Sequence, residues 1–251
     1  MKTFLRAFSF LTILPVGHPS LSGGKELARS MAFFPLVGLI IGLILAVGHY
    51  LFLFLFSEPL SLWLTIGLLA LLTRGLHLDG FADTVDGLGS GGPREKVLEV
   101  MRDSRIGAFG VIGLILLIGA KYFALDQIPR ASIPYALILM AVTGRNAMVL
   151  VCYRSPYARS EGGLAKAFTE NLGVREIALS LATAFGIALW VMGIHGAAVF
   201  IGTGFFSLGY RYFFIKKLGG VTGDILGGAN ELAELLCLLL VVILEPIHLL
   251  R

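Results

Sequence analysis

The 251-residue chain is 57% hydrophobic and only 14% charged, whereas soluble domains average about 45–50% apolar and about 25% charged residues. Such a chain has too few polar side chains to cover a soluble protein, which excludes that class and predicts an integral membrane protein in a lipid bilayer. The net charge of +4 comes without a basic cluster interleaved with aromatic residues, so no nucleic-acid partner is indicated.

The amino-terminal segment begins with Lys2 and Arg6, which precede the short apolar run 7–16. The run is not followed by a convincing cleavage site, so a signal peptide is not indicated. We expect instead an amphipathic or re-entrant segment that ends at Pro15.

The rest of the chain contains seven apolar segments, and a helix that spans a bilayer needs about 20 residues, with a range of about 17–25. The segments are Met31–Phe56, Leu60–Thr73, Ile106–Leu125, Ser132–Val151, Ile177–Val191, Ala197–Phe214 and Leu232–Leu249, of which the second and fifth are short. They predict an all-α, polytopic membrane bundle of about seven transmembrane helices, with a range of six to eight. No strong repeat or low-complexity linker divides the chain, so residues 1–251 are expected to form one domain.

The basic residues are unevenly distributed in this topology. If the amino terminus is cytoplasmic, sixteen of the 20 Lys and Arg residues fall on the cytoplasmic side, two outside and two within spans. The positive-inside rule therefore predicts a cytoplasmic amino terminus. The longer connections, around residues 76–105, 153–176 and 215–230, then face the cytoplasm, and chemistry is expected at that face.

The first of these connections holds Asp79, Asp83 and Asp86, at positions i, i+4 and i+7. A helix would place all three carboxylates on one face, where like charges repel unless a cation lies among them. Oxygen ligands without Cys or His suit Mg²⁺ or Mn²⁺. The alternative is an ordinary solvated helix face. Because Asp79 closely follows an apolar segment, we favour a metal site.

Asp103 is a further candidate metal ligand in the same connection, and the alternative is a helix cap. Arg102 and Arg105 flank it as phosphate-binding groups could. The Gly-rich residues 87–92 form a flexible connection that lacks the Lys-Ser/Thr pair of a P-loop. His77 is either a base or a structural hydrogen-bond partner of an acid.

A second acidic set lies at the start of the last apolar segment, where Asp224 and Glu231 are seven residues apart and Asn230 and Glu234 are close by. Acids at the mouth of an apolar span are costly unless they are paired or bound to metal. Asp224 and Glu231 are therefore candidate metal ligands and Asn230 a candidate substrate-binding residue. The alternative is that these are polar residues that snorkel at the membrane boundary.

Several bases are candidate partners for an anionic substrate. Arg154, Arg159 and Lys166 lie in the middle connection, although positive-inside bias alone would place bases there. Arg145 lies inside a predicted span and needs an anion, either a carboxylate or a substrate phosphate. Lys121 lies near the opposite end of its span and is expected to snorkel outward.

The chain resembles the cobalamin synthases, also called adenosylcobinamide-GDP ribazoletransferases, in motifs that occur in the right order over almost its whole length. The motifs are Phe34-Pro-Leu-Val-Gly, Thr73-Arg-Gly-Leu-His-Leu-Asp-Gly-Phe-Ala-Asp-Thr-Val-Asp-Gly-Leu, Met101-Arg-Asp-Ser-Arg-Ile-Gly-Ala-Phe-Gly, Gly144-Arg-Asn-Ala-Met, Pro156-Tyr-Ala-Arg and Gly223-Asp-Ile-Leu-Gly. The resemblance implies an Mg²⁺-dependent enzyme of the bacterial inner membrane, with its active face in the cytoplasm. Its implied substrates are adenosylcobinamide-GDP and α-ribazole or α-ribazole 5′-phosphate, which are joined with release of GMP. A homo-oligomer or a complex with other B12-assembly enzymes stays open.

For such a phosphoryl transfer we expect Asp79, Asp83, Asp86 and Asp103 to hold one or two Mg²⁺ ions. Asp83 or Asp86 would take the proton of the attacking hydroxyl, with His77 as a further catalytic candidate. Asp224 and Glu231 would complete the metal site or position the second substrate. Asn230 would bind substrate. The negative charge of the substrate phosphates would be offset by five basic residues, namely Arg105, Arg145, Arg154, Arg159 and Lys166.

Two alternatives are weaker. The motif Asp83-x-x-Asp-Gly is also part of the signature of the CDP-alcohol phosphotransferases of phospholipid synthesis, but this chain has Ser90-Gly91 where that signature has Ala-Arg. A cation transporter is expected to spread acids through mid-membrane depth on several helices, whereas here they gather at one face.

Overall fold

The structure is a computed structural model that describes residues 2–14, 16 and 23–244. The described residues are predominantly helical and include no strand of a sheet, which confirms the all-α prediction. The helices are α1 (Lys2–Leu11), α2 (Gly24–Ser30), α3 (Phe34–Leu55), α4 (Glu58–Leu72), α5 (Leu76–Gly89), α6 (Arg94–Val100), α7 (Ala108–Gln127), α8 (Ile133–Cys152), α9 (Leu164–Asn171), α10 (Val174–Leu218) and α11 (Gly223–Leu244), with a 3₁₀ turn at Met31–Phe33.

Helix α8 is the centre of the bundle, with α3, α10 and α11 packed around it. Nearly all of its residues are buried. On α3, a Cβ atom at Gly38 would lie 2.5 Å from the carbonyl oxygen of Ala141, and one at Gly42 would lie 2.5 Å from the Cα of Ile138. Small residues four positions apart thus let the two backbones meet, as is common between membrane helices.

The amino-terminal helix α1 lies within the segment that was predicted to be amphipathic. It buries Ala7, Phe8 and Leu11, whereas Lys2 is exposed. This pattern places one apolar face of α1 against the bundle. The predicted end of the segment, Pro15, lies outside the described residues.

Helices α4 and α5 meet at a corner of about 90°. The chain turns through Arg74 and Gly75, which both have positive φ angles, of 56° and 66°. Because glycine adopts this conformation without strain, the second of these positions suits a sharp turn between two helices. The corner directs the acid-rich helix α5 away from the axis of α4 and against α7 and α11.

Helix α10 covers two of the predicted spans and is interrupted between them. Met192 and Gly193 have non-helical backbone angles, and they lie in the gap between the two predicted spans. At about 1.5 Å per residue, the 45 residues of α10 would extend well beyond the thickness of one bilayer, about 30 Å. Two shorter segments that cross separately fit this length better.

Within the described residues, five helical segments are long and apolar enough to cross a membrane, or six if the bent pair α4–α5 counts as one crossing. Large apolar side chains on their outer faces are exposed, for example Phe54 (88%), Trp190 (74%) and Phe205 (72%). Lipid would cover such faces. The chain is therefore a polytopic helical membrane protein. The number of crossings and the side of the amino terminus stay predictions, and residues 245–249 of the last predicted span lie outside the described part.

Candidate active site

The acid-rich segment forms helix α5, as its spacing predicted. Its three aspartates differ in exposure: Asp79 is exposed, Asp83 is half-buried and Asp86 is buried. The Gly-rich connection predicted to begin at Gly87 is shorter than expected, because the helix continues to Gly89. Since α5 packs against both α7 and α11, its acids have different neighbours.

Helices α5 and α11 touch through their backbones at Gly80. A Cβ atom at this position would lie 2.9 Å from the Cα of Asp224, so only glycine permits the approach. Asp79 and Asp224 line the same cavity, and Asp83 is close enough to be repelled by both carboxylates. The two acidic sets, which are distant in sequence, therefore meet here. We call Asp79, Asp83 and Asp224 the acidic cluster.

The acidic cluster has more negative charge than its protein partners neutralise. A guanidinium nitrogen of Arg159 lies 2.7 Å from an Asp224 oxygen, and the Thr222 hydroxyl lies 3.2 Å from the same oxygen. Asp79 and Asp83 form no hydrogen bond or ion pair with a described residue. Three carboxylates with one guanidinium repel one another unless a further cation joins them.

The loop that carries Arg159 is held by hydrogen bonds from arginine side chains to backbone carbonyl oxygens. Arg159 also donates a hydrogen bond to the carbonyl oxygen of Met101 at 3.1 Å. Arg94 donates to the carbonyl oxygens of Leu218 at 2.7 Å and Ala158 at 2.6 Å. Arg94 therefore joins the middle connection to the end of α10, a role that the sequence analysis missed because no local pattern marks it.

Asp86, predicted as a metal ligand and catalytic residue, contacts the first turn of α7. Its two oxygens accept hydrogen bonds from the backbone N–H groups of Gly107 and Gly110, both at 2.7 Å. These N–H groups have no partner within the helix, and a carboxylate satisfies them well. Both oxygens of Asp86 are thus engaged, and its observed contacts are those of a helix cap.

We expect Asp86→Ala to lower the free energy of unfolding by about 1–2 kcal/mol, because two N–H groups at the start of α7 lose their acceptor. Unfolding in mixed detergent micelles would measure the change. Asp126→Ala, at the exposed end of α7, is the matched control and should change little. A large loss of Mg²⁺ affinity, with stability unchanged, would contradict the capping role.

Asp103 and Arg105 pair with each other in the loop before α7. The Arg105 guanidinium lies 2.7 Å from an Asp103 oxygen, and the Arg105 backbone N–H lies 3.0 Å from the other. These hydrogen bonds lower the pKa of Asp103 to about 2. Asp103 does not cap α7, since Gly107 occupies that position. Its carboxylate is paired outside the acidic cluster, and its role as a metal ligand stays a prediction.

Arg154 lies in the loop after α8 and Lys166 lies in α9, and both have partners outside the acidic cluster. Arg154 is exposed and lies over the ring of Tyr153, 5.3 Å from its centroid. The Lys166 ammonium lies 3.8 Å from Glu170 on α9. Of the predicted substrate-binding bases, Arg159 alone forms an ion pair with the acidic cluster in the described part of the chain. The roles of Arg154 and Lys166 stay predictions.

A second charged group lies deep between α7, α8 and α11. The Lys121 ammonium lies 2.6 Å from Glu231 and 2.5 Å from Glu234, and Arg145 forms an ion pair with Glu234. All four side chains are buried, and we call them the buried ion network. The expectation that Lys121 snorkels outward is wrong, because its ammonium contacts acids inside the bundle. A Lys within an apolar span usually has such a partner, which was the available signal.

Three predicted site residues belong to this network or contact it. Arg145 forms its ion pair with Glu234. The sequence left open whether the anion is a carboxylate or a substrate phosphate, and the structure shows a carboxylate. Glu231 is paired with Lys121 and not with the acidic cluster. The Asn230 amide lies 3.0 Å from Glu234 and 3.3 Å from Glu231. The roles of Glu231 in metal binding and of Arg145 and Asn230 in substrate binding stay predictions, because the structure shows these side chains in contact with the buried ion network only.

His77 is buried in α5, with 1% of its surface exposed. Neither ring nitrogen has a hydrogen-bond partner among the described residues, so the expected bond to an acid is not seen there. The charges that act on its ring include three members of the buried ion network. It lines the same cavity as Asp79 and Asp224. Its role as a base stays a prediction.

The described residues contain no group of three or more His, Cys, Asp or Glu side chains arranged to hold a metal ion. However, Mg²⁺ is often held by one or two carboxylates, with water and substrate phosphates as its other ligands. The acidic cluster offers only oxygen donors, and two of its carboxylates have no other partner in the part of the chain that the structure describes. It can therefore supply part of an Mg²⁺ site, which a phosphate-bearing substrate would complete.

Two comparisons with known proteins, one against family models and one against individual proteins, agree on one family. A family model described as CobS, cobalamin-5-phosphate synthase, matches residues 3–242. A protein of Syntrophobacter fumaroxidans named adenosylcobinamide-GDP ribazoletransferase is 42% identical over 237 residues, which cover 94% of this chain and 96% of the relative. Proteins with the same name from Geotalea daltonii and Acetivibrio thermocellus are 36% and 38% identical, and each alignment covers 96% of this chain and 97% of the relative. No solved structure matches the chain.

Proposed function

The chain belongs to the cobalamin-5-phosphate synthase family, and on this premise we propose that it transfers adenosylcobinamide phosphate from adenosylcobinamide-GDP to α-ribazole or α-ribazole 5′-phosphate. GMP is released, and the product is adenosylcobalamin or its 5′-phosphate, the last assembly step of coenzyme B12. The acceptor is a nucleoside with a flat benzimidazole base. The donor is a bulky corrinoid joined to guanosine through a diphosphate.

The observation that carries this function is the acidic cluster, in which carboxylates from α5 and α11 meet. Two of the three carboxylates have no hydrogen-bond or ion-pair partner among the described residues. A diphosphate cannot approach unpaired carboxylates without a cation between them. Phosphoryl transfer depends mainly on charge neutralisation and on alignment of the reacting groups. The unpaired carboxylates are therefore what such a donor requires, provided that a divalent cation binds with it.

We assign this cation as Mg²⁺, because its ligands would all be oxygens and because it shares its ligand shell with phosphates. Asp79 and Asp224 would hold it, with Asp83 beside them. When bound, Mg²⁺ would neutralise the diphosphate and the departing GMP. Asp86 and Glu231 are less suited to this role, because their oxygens are already engaged.

The chain's own residues supply the remaining chemistry. A ribose hydroxyl of the acceptor attacks the phosphorus atom that is bonded to cobinamide, a new P–O bond forms, and the bond to GMP breaks. Asp83 takes the hydroxyl proton, since its carboxylate has no other partner among the described residues and lies beside the metal-binding acids. Arg159 holds Asp224 in position through its 2.7 Å contact. The exposed bases Arg105 and Arg154 lie in the loops before α7 and after α8, and we expect them to meet the donor's phosphates.

The active face is assigned to the cytoplasmic side of the bacterial inner membrane. The acidic cluster lies on α5 and at the first turn of α11, next to connections that are rich in Lys and Arg. Such connections remain in the cytoplasm under the positive-inside rule.

Release of GMP tests the function directly. Membranes that contain the protein should release GMP from adenosylcobinamide-GDP only when α-ribazole and Mg²⁺ are both present, because the diphosphate needs a counter-charge. EDTA should abolish this release, and excess Mg²⁺ should restore it. GMP release that does not require the acceptor would contradict the transferase function, whereas release that persists in EDTA would contradict the Mg²⁺ role alone.

A further inference from the structure

A cavity of about 160 Å³ lies beside the acidic cluster, between α1, α3, α5, α8, α9 and α11. One of its walls is aromatic. The ring centroids of Phe10 and Phe34 are 6.0 Å apart, and the Phe168 centroid lies 5.4 Å from the first and 6.1 Å from the second. An apolar cavity of about 150 Å³ can hold a benzene ring, so this cavity is large enough for a small planar molecule.

The cavity also has polar side chains. It is lined by His77, Asp79 and Asp224, of which the last two belong to the acidic cluster. His77 is almost completely buried, and both of its ring nitrogens lack a partner among the described residues. A buried polar group without a hydrogen bond is costly, and most such groups in proteins are satisfied. The unpaired nitrogens therefore indicate a ligand that can hydrogen-bond to the ring.

We propose that this cavity binds the base of the nucleoside acceptor, an inference that rests on the proposed function. The flat ring lies against the aromatic wall, where stacking is favourable. A nitrogen of the base faces His77. The ribose then emerges beside Asp79 and Asp224, which places a hydroxyl near the acidic cluster, where Asp83 receives its proton. The corrinoid donor is much too large for this volume and must bind outside it.

Binding of the acceptor alone separates this inference from the function. α-Ribazole should bind the purified wild-type protein by calorimetry without any donor. The free benzimidazole base should compete with α-ribazole in the GMP-release assay but not with adenosylcobinamide-GDP. This experiment needs no variant. Absence of competition by the free base, in a protein that turns over normally, would overturn the cavity assignment and leave the transferase function intact.

Two variants locate the binding site. Ala165→Leu fills part of the cavity, and His77→Phe keeps a ring but removes its nitrogens. We expect each to weaken α-ribazole binding, and to raise its KM, by about tenfold or more, while the KM for adenosylcobinamide-GDP stays unchanged. The matched controls are Ala178→Leu on an exposed face of α10 and His49→Phe, which replaces another buried histidine. Both controls should retain wild-type binding.

The outcome decides between specific alternatives. If Ala165→Leu and His77→Phe bind α-ribazole as tightly as wild type, the acceptor base lies elsewhere. If they raise the KM for the donor instead, the cavity serves the corrinoid substrate and the inference is wrong. If wild-type protein releases no GMP with both substrates present, the proposed function itself fails.

Discussion

Asp83→Asn is expected to abolish GMP release, with a loss in kcat of at least about 10³-fold. The amide cannot accept the proton of the attacking hydroxyl, and it removes one negative charge from the group that binds the cation. The side chain has no other partner in the described part of the chain, so the fold should be unaffected. The measurement is GMP release by membranes that hold equal amounts of inserted wild-type and variant protein.

The control for this variant is Asp126→Asn, the same substitution on an exposed residue at the far end of α7, which should retain full activity. If Asp83→Asn keeps wild-type turnover, Asp83 has neither a proton-accepting nor a cation-binding role.

Asp79→Asn and Asp224→Asn should instead raise the Mg²⁺ concentration required for half-maximal rate, because these residues are assigned to metal binding.

Glu234→Gln is expected to lower the free energy of unfolding by about 3–5 kcal/mol, because it breaks a buried ion pair and leaves charge uncompensated. Glu234 contacts both cations of the buried ion network, Lys121 and Arg145. Its loss leaves two buried cations with Glu231 as their one remaining carboxylate. Unfolding in mixed detergent micelles, followed by circular dichroism, would measure the difference.

Two comparisons make this prediction specific. Glu161→Gln removes an exposed carboxylate that pairs with Arg102 at 2.8 Å, and exposed pairs of this kind contribute little. The double variant Lys121→Met with Glu231→Gln removes one charge of each sign and should be less destabilised than Glu234→Gln. Equal stability of Glu234→Gln and Glu161→Gln would mean that the network does not hold the bundle together.

Features that depend on local sequence were predictable. The i, i+4, i+7 spacing of acids predicted helix α5, and the length of apolar segments predicted most of the long helices. The gap between the predicted spans Ile177–Val191 and Ala197–Phe214 coincides with the interruption in α10. In each case, residues within one or two helical turns determine the outcome, so a single sequence contains the necessary information.

The partners of the charged residues were not predictable in the same way. The spacing of Asp86 matches that of Asp79 and Asp83, yet its oxygens contact α7 rather than the acidic cluster. Lys121 contacts residues 110 and 113 positions away, and Arg94 reaches a carbonyl group 124 positions away. Such contacts depend on how helices pack, which periodicity within one helix does not determine. By contrast, the meeting of Asp224 with the first acidic set was anticipated from the chemistry that both sets share.

The buried ion network has a consequence for biogenesis. A ribosome makes Lys121 and Arg145 well before Glu231 and Glu234, so two cations enter the bilayer in advance of their counterions. Helix α11 neutralises them when it docks, and it brings Asp224 to α5 in the same step. A nascent protein that lacks α11 therefore has neither a balanced interior nor a complete acidic cluster, and both arise together when this helix is added.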